Sequence, residues 1–406
     1  MIRINNFISP LVSLILFSVS IGFLTTFITF LMNQKGINPI LIGSMSTFNY
    51  IGVMIGAFKS EKVILRIGHI RAFCAFGSVM SIITLLHGVI DNTYIWFVLR
   101  FIIGVCLSGL YVVIESWLLS VSSIKNRGSV LALYMIALYG AQAVGQLFML
   151  ADLNQPINLF LLAGICCIAS IFPLSITRIP SPKIEEAVTL DFKVLVQKTP
   201  SGIISSFSSG LILGSLYGLL PIYLAQLNYS KTMIGYMMFA TIFGGMALQY
   251  PLGKLSDIIE RRTVIATLFF TSAFLLSCLI FFPINPAICM LLFFVLGGLT
   301  FAIYPISISH ACDTISANSI VSATQGLLLI YSVGAALGPL LSGVFVFYNP
   351  NQGLILFLLL VSIPTGCYLS YVRAHSKASP QDDAFMPHPQ TTIVVSEIDP
   401  RIEDPN

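Results

Sequence analysis

Residues 231–262 read KTMIGYMMFATIFGGMALQYPLGKLSDIIERR. An apolar run of about twenty residues, long enough to cross the hydrocarbon core of a bilayer as a helix, ends near Leu252. It passes into a charged loop, Lys254 to Arg262. Inside the run, Ile234-Gly235 and Gly244 repeat Ile42-Gly43 and Gly52 at a shift of 192 residues. The register extends outward in both directions. Gly22 recurs as Gly214, and at a shift of 193 Gly104 recurs as Gly297, Tyr111 as Tyr304 and Gly145 as Gly338. The matches fall in apolar stretches, where small residues let helices approach closely. A duplicated set of membrane helices is how many secondary transporters are built, with the substrate site between the repeats.

Composition agrees with that reading. The chain is 56% hydrophobic and 9% charged over 406 residues, against about 25% charged in a soluble domain. Continuous rather than alternating runs exclude a β-barrel. Twelve spans are expected at 8–32, 39–58, 70–90, 94–121, 129–150, 157–177, 201–226, 231–252, 263–283, 287–312, 320–347 and 352–373. The first has a thin basic flank and no small-residue cleavage site, so it is expected to be retained as a membrane helix. The fold expected is all-α: twelve transmembrane helices in two six-helix repeats. Residues 1–177 form the N-terminal half, 178–200 a polar cytoplasmic linker, 201–373 the C-terminal half, and 374–406 a Pro- and acid-rich tail expected to be disordered. The eight cysteines lie in or at the ends of spans and form no CxxC pair, so they read as small packing residues.

Lys and Arg set the orientation. Lys59, Lys62, Arg66, Arg71, Lys125, Arg127, Arg178, Lys254, Arg261, Arg262 and Arg373 fall on one side, and only Lys35 and Lys231 on the other. The basic side and both termini are therefore expected in the cytoplasm, with the chain in the inner membrane of a bacterium.

The loop Gly253-Lys254-Leu255-Ser256-Asp257, followed by Arg261-Arg262, resembles the cytoplasmic loop signature of the major facilitator superfamily. With the duplication, the resemblance covers nearly the whole chain to about Arg373. Ile67-Gly68-His69-Ile70-Arg71-Ala72-Phe73, Glu115-Ser116-Trp117-Leu118, Gly244-Gly245-x4-Tyr250-Pro251-x-Gly253 and Leu327-Leu328-Leu329-Ile330-Tyr331 are similar to a bacterial YcaD-like branch. The resemblance implies the major facilitator fold and a cytoplasmic gate of Gly253, Asp257, Arg261, Arg262 and Arg127. In that gate Asp257 meets the N-terminus of span five, where exposed amides and the helix dipole favour an anion. Such a contact forms only while the cytoplasmic side is closed. The plainer alternative is a solvated positive loop. The first-half copy has Ser60 where the signature would put the acid.

Span four carries the most costly residues. A charge near the bilayer centre costs roughly 2.5–3.5 kcal/mol on insertion scales, and span four holds Arg100 and Glu115. Arg100, Gly104, Ser108, Tyr111 and Glu115 are spaced 4, 4, 3 and 4, which puts them on one helical face. A polar stripe on an apolar helix belongs against a cavity. Arg100-x3-Gly104 also resembles the family's span-four motif, whose Arg is linked to proton coupling. Glu115 is the candidate proton-binding acid. The alternative for both is snorkelling to the two interfaces. Tyr111, Tyr139, Gln142, Gln146, Tyr304, Gln325 and Tyr331 are candidate cavity residues, against helix–helix hydrogen bonding at about 0.6 kcal/mol each. His310 and Asp313 stand near the end of span ten as an acid–imidazole pair.

The sequence holds no P-loop, zinc pair or nucleophile elbow. No enzymatic activity, cofactor, metal or nucleic acid is expected. The function expected is a secondary active transporter of a small organic molecule, working by alternating access and coupled to protons, as a monomer in the lipid bilayer. The alternative is a non-transporting receptor or scaffold on the same fold.

Overall fold

A computed structural model describes residues 5–122, 127–151, 155–177, 192–281, 285–315, 320–376 and 385–392. The helices are α1 (Asn5–Gln34), α2 (Pro39–Ile67), α3 (His69–Val89), α4 (Thr93–Val121), α5 (Arg127–Gln146), α6 (Pro156–Ser175), α7 (Phe192–Lys198), α8 (Pro200–Gln226), α9 (Lys231–Ile258), α10 (Arg261–Phe281), α11 (Pro286–Cys312), α12 (Ile320–Tyr348) and α13 (Gly353–His375). All but α7 are long and apolar enough to cross a membrane, twelve among the described residues. Among the described residues there is no strand. The chain is an all-α, multi-pass membrane protein.

Helix entries follow local chemistry. The Asn38 side chain accepts from the Ile40 amide, Asn92 from Tyr94 and Ile95, and Asn285 from Ala287 and Ile288. Pro39 and Pro286 stand at the first helical position, where a missing N–H costs nothing. The expected ends of spans two and eight, 58 and 252, fall short. Helix α2 runs to Ile67 and α9 to Ile258, because Lys, Glu and Leu continue a helix as well as apolar residues do. Gly68, at φ 85°, ends α2; only glycine adopts that region freely. Helix α5 ends at Gln146, and a 3-10 turn at Leu147–Leu150 carries span five to its expected end. Of the expected linker, residues 178–191 lie outside the described residues, and Phe192–Lys198 is a short helix.

The repeated glycines make the same contacts twice. Gly22 abuts the Gln142 backbone and Gly145 that of Val19, joining α1 to α5; Gly214 abuts Ala335 and Gly338 abuts Leu211, joining α8 to α12. Gly52 meets Phe101 and Gly104 meets Asn49, joining α2 to α4; Gly244 meets Phe294 and Gly297 meets Thr241, joining α9 to α11. Each partner is displaced by the same 192 or 193 residues. The duplication seen in sequence is thus a duplication of helix-on-helix contacts. A Cβ at 297 would stand 1.9 Å from the Thr241 carbonyl oxygen. We expect Gly297→Leu to force α9 from α11 and lower stability in detergent by about 3 kcal/mol or more. Gly140→Ala, where a Cβ meets only the Met246 sulfur at 3.3 Å, should leave the thermal midpoint nearly unchanged. Equal midpoints for the two variants would refute the packing argument.

Helices α1–α6 meet α8–α13 chiefly toward one face. There Thr47 donates to the Ala336 carbonyl at 2.7 Å, Thr29 to that of Gly218 at 3.3 Å, and Lys231 to that of Ala151 at 2.9 Å. Gly43 lies against Pro339, and Gly235 against Met149. The start of α2, the end of α12, the start of α9 and the end of α5 are therefore in direct contact. The opposite face, which carries the basic loops, holds the ends of α4, α9, α11 and α13 and the starts of α5, α10 and α12.

Candidate functional site

A cavity of about 120 Å³, connected to solvent, lies between α1, α2, α4, α5, α8 and α12. Of the seven residues expected to line it, Tyr111, Tyr139, Gln142 and Tyr331 do so. Gln146 does not. Its amide donates to the Gly22 carbonyl at 2.7 Å, tying α5 to α1, as a buried amide does when a backbone acceptor is near. Tyr304 stands behind the lining, its ring 4.7 Å from that of Tyr331. Gln325 is buried beside a smaller adjoining space that Val53, Leu328 and Thr391 also border. The sequence reading missed Thr25, Asn49, Tyr50 and Tyr217, all at the cavity wall. Tyr217 donates to Gln142 at 3.1 Å, so α8 and α5 meet across it. Tyr50 is two residues from Gly52 on a helix read only for its glycines; its spacing from Gly43 would have found it.

Arg100 does not snorkel. It is 2% exposed and lines the cavity, where its Nη2 donates to the Thr25 hydroxyl at 3.1 Å. Its Nε and Nη1 have no hydrogen-bond partner among the described residues. Glu115, 1% exposed, does not snorkel either. Tyr134 of α5 donates to its Oε1 at 2.6 Å, and the hydroxyls of Thr391 and Thr392 donate to Oε1 and Oε2. Arg100 and Glu115 are fifteen residues apart on α4, about 22 Å at 1.5 Å per residue, so they sit at opposite ends of the polar stripe.

The threonines belong to the tail, and the tail corrects the expectation of disorder. Residues 385–392 form an extended segment between the two sets of helices on the basic face. Phe385, Pro387, His388 and Thr392 are buried. The Phe385 amide donates to Asp257 at 2.7 Å. Its ring fills the place a side chain at Gly253 would take, with a Cβ there 2.1 Å away. Met386 lies over Gly128. The Gln390 Oε1 accepts from Tyr331 at 3.0 Å and from Tyr139 at 3.4 Å. The composition of 374–406 suggests disorder, but this stretch, FMPHPQTT, has no charge and carries apolar and hydroxyl groups that fit a polar cleft. Residues 377–384 and 393–406 lie outside the described residues.

The gate residues are engaged locally. Arg261 is buried, with Nε 2.8 Å from Asp313 and Nη2 3.4 Å from Asp257. Asp313 therefore pairs with arginine across α10 and α11, where the sequence suggested His310. Arg262 pairs with Glu260 at 3.3 Å, and Glu260 with Arg373 at 3.1 Å. Arg127 opens α5, half-buried.

A twelve-helix body whose repeats meet round a cavity holding a buried cation is the build of a membrane transporter, and family comparison agrees. The Major Facilitator Superfamily profile matches residues 11–223 and 202–395, and the chain belongs to that superfamily: it is a transporter by family, not an enzyme. The MFS-type transporter YcaD of Escherichia fergusonii is 28% identical over 354 residues, covering 86% of this chain and 91% of its own length. The MFS-type transporter Ent638_1421 of Enterobacter sp. (strain 638) is 30% identical over 358 residues, covering 87% and 91%. The fold also matches a bacterial homologue of the human lysosomal transporter Spinster in an inward-facing, occupied conformation. The TM-score is 0.72 at 13% identity, over 92% of this chain and 98% of that one. It matches the nucleoside transporter NupG at TM-score 0.73 and 14% identity, over 91% and 99%.

Proposed function

We propose that this protein moves a small organic molecule across a bacterial inner membrane by alternating access, coupled to protons, with Glu115 as the proton carrier. The supporting observation is Glu115 itself, a carboxyl buried where the two halves meet the tail and, among the described residues, hydrogen-bonded only by hydroxyls. Among the described residues it has no cationic partner, so its protonation is set by the balance of burial against these hydroxyl donors, and that balance changes as the site opens and closes. Tyr134 is the titratable side chain in hydrogen-bond contact with it.

The basic face is cytoplasmic in this reading, by the distribution of Lys and Arg. The contacts at Gly43, Thr47 and Lys231 then close the outer side, and this conformation faces inward. Rocking of α1–α6 against α8–α13 about the cavity alternates access. When the basic face closes, Asp257 leaves its present partners and meets the start of α5 at Arg127-Gly128, whose amides and dipole favour an anion. In a chain ending at Ser376, Asp257→Asn should therefore enrich the inward-facing state by about fivefold, in line with a contact worth about 1 kcal/mol. Spin-label distances across the basic face measure it, and an unchanged distribution would reduce Asp257 to a solvated loop residue.

Uptake and efflux of a metabolite panel in proteoliposomes under an imposed pH gradient tests the whole reading. Accumulation that collapses with the gradient is expected. A protein that binds solutes yet moves none would instead be a receptor on this fold.

A further inference from the structure

We propose that the transported molecule is an amphiphilic organic anion, its oxyanion group clamped by Arg100 and its apolar body held among tyrosine rings. This rests on the transport reading above and extends it to substrate class. An arginine within a membrane span needs a counter-charge or a dense set of acceptors. Among the described residues Arg100 has one acceptor, Thr25, and two unpartnered nitrogens at the cavity. The described acids are committed elsewhere. Asp91 pairs with Lys35, Asp257 and Asp313 with Arg261, and Glu260 with Arg262 and Arg373. Glu115 is held by Tyr134 and the tail about 22 Å away. Glu61 lies eleven residues beyond Tyr50 on α2, about 16 Å along the helix toward the basic face.

The compensating charge must therefore arrive with the ligand. A guanidinium presents paired N–H groups that suit a carboxylate or phosphate, whereas it repels a cation and leaves a neutral solute without reason to bind there. Tyr50, Tyr111, Tyr139, Tyr217 and Tyr331 supply much of the rest of the wall, which the tail's Gln390 and Thr391 also border; the tyrosines are apolar bodies with hydroxyl tips, suited to a ligand with an apolar core.

The test uses the purified full chain in nanodiscs and matched probes: benzoate and phenyl phosphate, benzamide and benzyl alcohol, and benzyltrimethylammonium. Binding is followed by calorimetry and by thermal midpoint. At least one anion should bind tenfold or more tighter than its neutral analogue, and preference between the two identifies carboxylate or phosphate. Arg100→Gln should weaken that anion tenfold or more, with Arg100→Lys in between. Equal binding of acid and amide, binding of the cation, or no binding of either anion overturns the proposal, and none of these needs the variant to fold. The same probes in proteoliposomes separate the two readings. An anion that binds without crossing sinks transport and keeps the site; a neutral or cationic solute that crosses sinks the site and keeps transport.

A second inference has its own footing, the seat of the tail. We infer that Phe385–Thr392 is a tethered plug of the basic face, exclusive with closure of that face. Its contacts fall on the residues closure needs. Phe385 occupies Gly253 and Asp257, and Met386 covers Gly128 at the start of α5. Thr391 and Thr392 cap Glu115. While the plug is seated, the end of α9 cannot reach the start of α5, and the carboxyl has no open path to that face. A tethered segment acts at an effective concentration on the order of millimolar.

A fluorescent peptide of residues 383–394 should bind a chain truncated after Ser376 and bind the full chain at least tenfold more weakly, because the native tail competes. Full chain carrying Phe385→Ala, Thr391→Val and Thr392→Val should regain peptide binding if the truncated form proves unstable. Equal affinity for intact and tail-released forms, or no binding to either released form, overturns the plug.

Discussion

Glu115→Gln is expected to abolish proton-driven accumulation while leaving substrate exchange across the membrane largely intact. Glutamine keeps the volume; its oxygen can still accept from Tyr134 and Thr391, which donate to Oε1 of Glu115, and its amide NH2 can donate to the Thr392 hydroxyl that now donates to Oε2. It cannot gain or lose a proton. Coupling requires that the loaded carrier differ in protonation between the two faces, so a fixed neutral group equilibrates substrate without concentrating it. The loss should approach the full accumulation ratio, the largest transport effect predicted here. Counterflow of labelled substrate, which needs no gradient, should stay within severalfold of the parent. Gradient-driven uptake by Glu115→Gln as steep in pH as the parent's would falsify the assignment and leave Glu115 a structural residue anchoring the tail. The two roles also differ in a second observable: Glu115→Gln keeps the hydroxyl contacts, so peptide binding should change little.

What the sequence disclosed and what it hid divide along physical lines. Membrane spans are legible because each must stay predominantly apolar over about twenty residues to cross the bilayer, so composition alone finds them. The repeat is legible because backbone contact tolerates only glycine, and Gly52, Gly104, Gly244 and Gly297 hold such contacts. The face of α4 carrying Arg100, Tyr111 and Glu115 is legible from helical spacing. Which polar residues meet a cavity and which meet a neighbouring carbonyl is not, because both environments accept the same side chains. Gln142 and Gln146 lie one turn apart, yet Gln142 reaches the cavity and Gln146 reaches Gly22. Helix ends slipped where charged residues with good helix propensity carry α2 and α9 beyond the bilayer. The tail was misread because disorder is inferred from average composition, while eight uncharged residues suffice to bind once a matching cleft exists. The acceptors in that cleft come from α4 and α9, more than a hundred residues away in the chain.

Leucine at position 43 should hold the outer ends of α2 and α12 apart and trap the transporter away from the conformation seen here. Gly43 faces Pro339 so closely that a Cβ would stand 2.1 Å from its carbonyl oxygen. The neighbouring Thr47–Ala336 hydrogen bond joins the same two helices. In contrast to Gly297, whose contact lies within one repeat, Gly43 touches the other repeat. The fold can therefore escape the clash by opening rather than by unfolding. Overpacking costs about 1–3 kcal/mol, and that bias converts to a population shift of about 5- to 150-fold. The thermal midpoint of Gly43→Leu should stay close to the parent's, because the open state avoids the clash. Spin-label distances between the outer ends of α2 and α12 should lengthen, and transport should fall in proportion to the lost closed population. Gly343, which meets Pro39 and Ile40 across the same seam, should behave alike when replaced by leucine. A lowered midpoint with unchanged distances would mean that α2 and α12 never part, and rocking of two rigid halves would then be wrong for this protein.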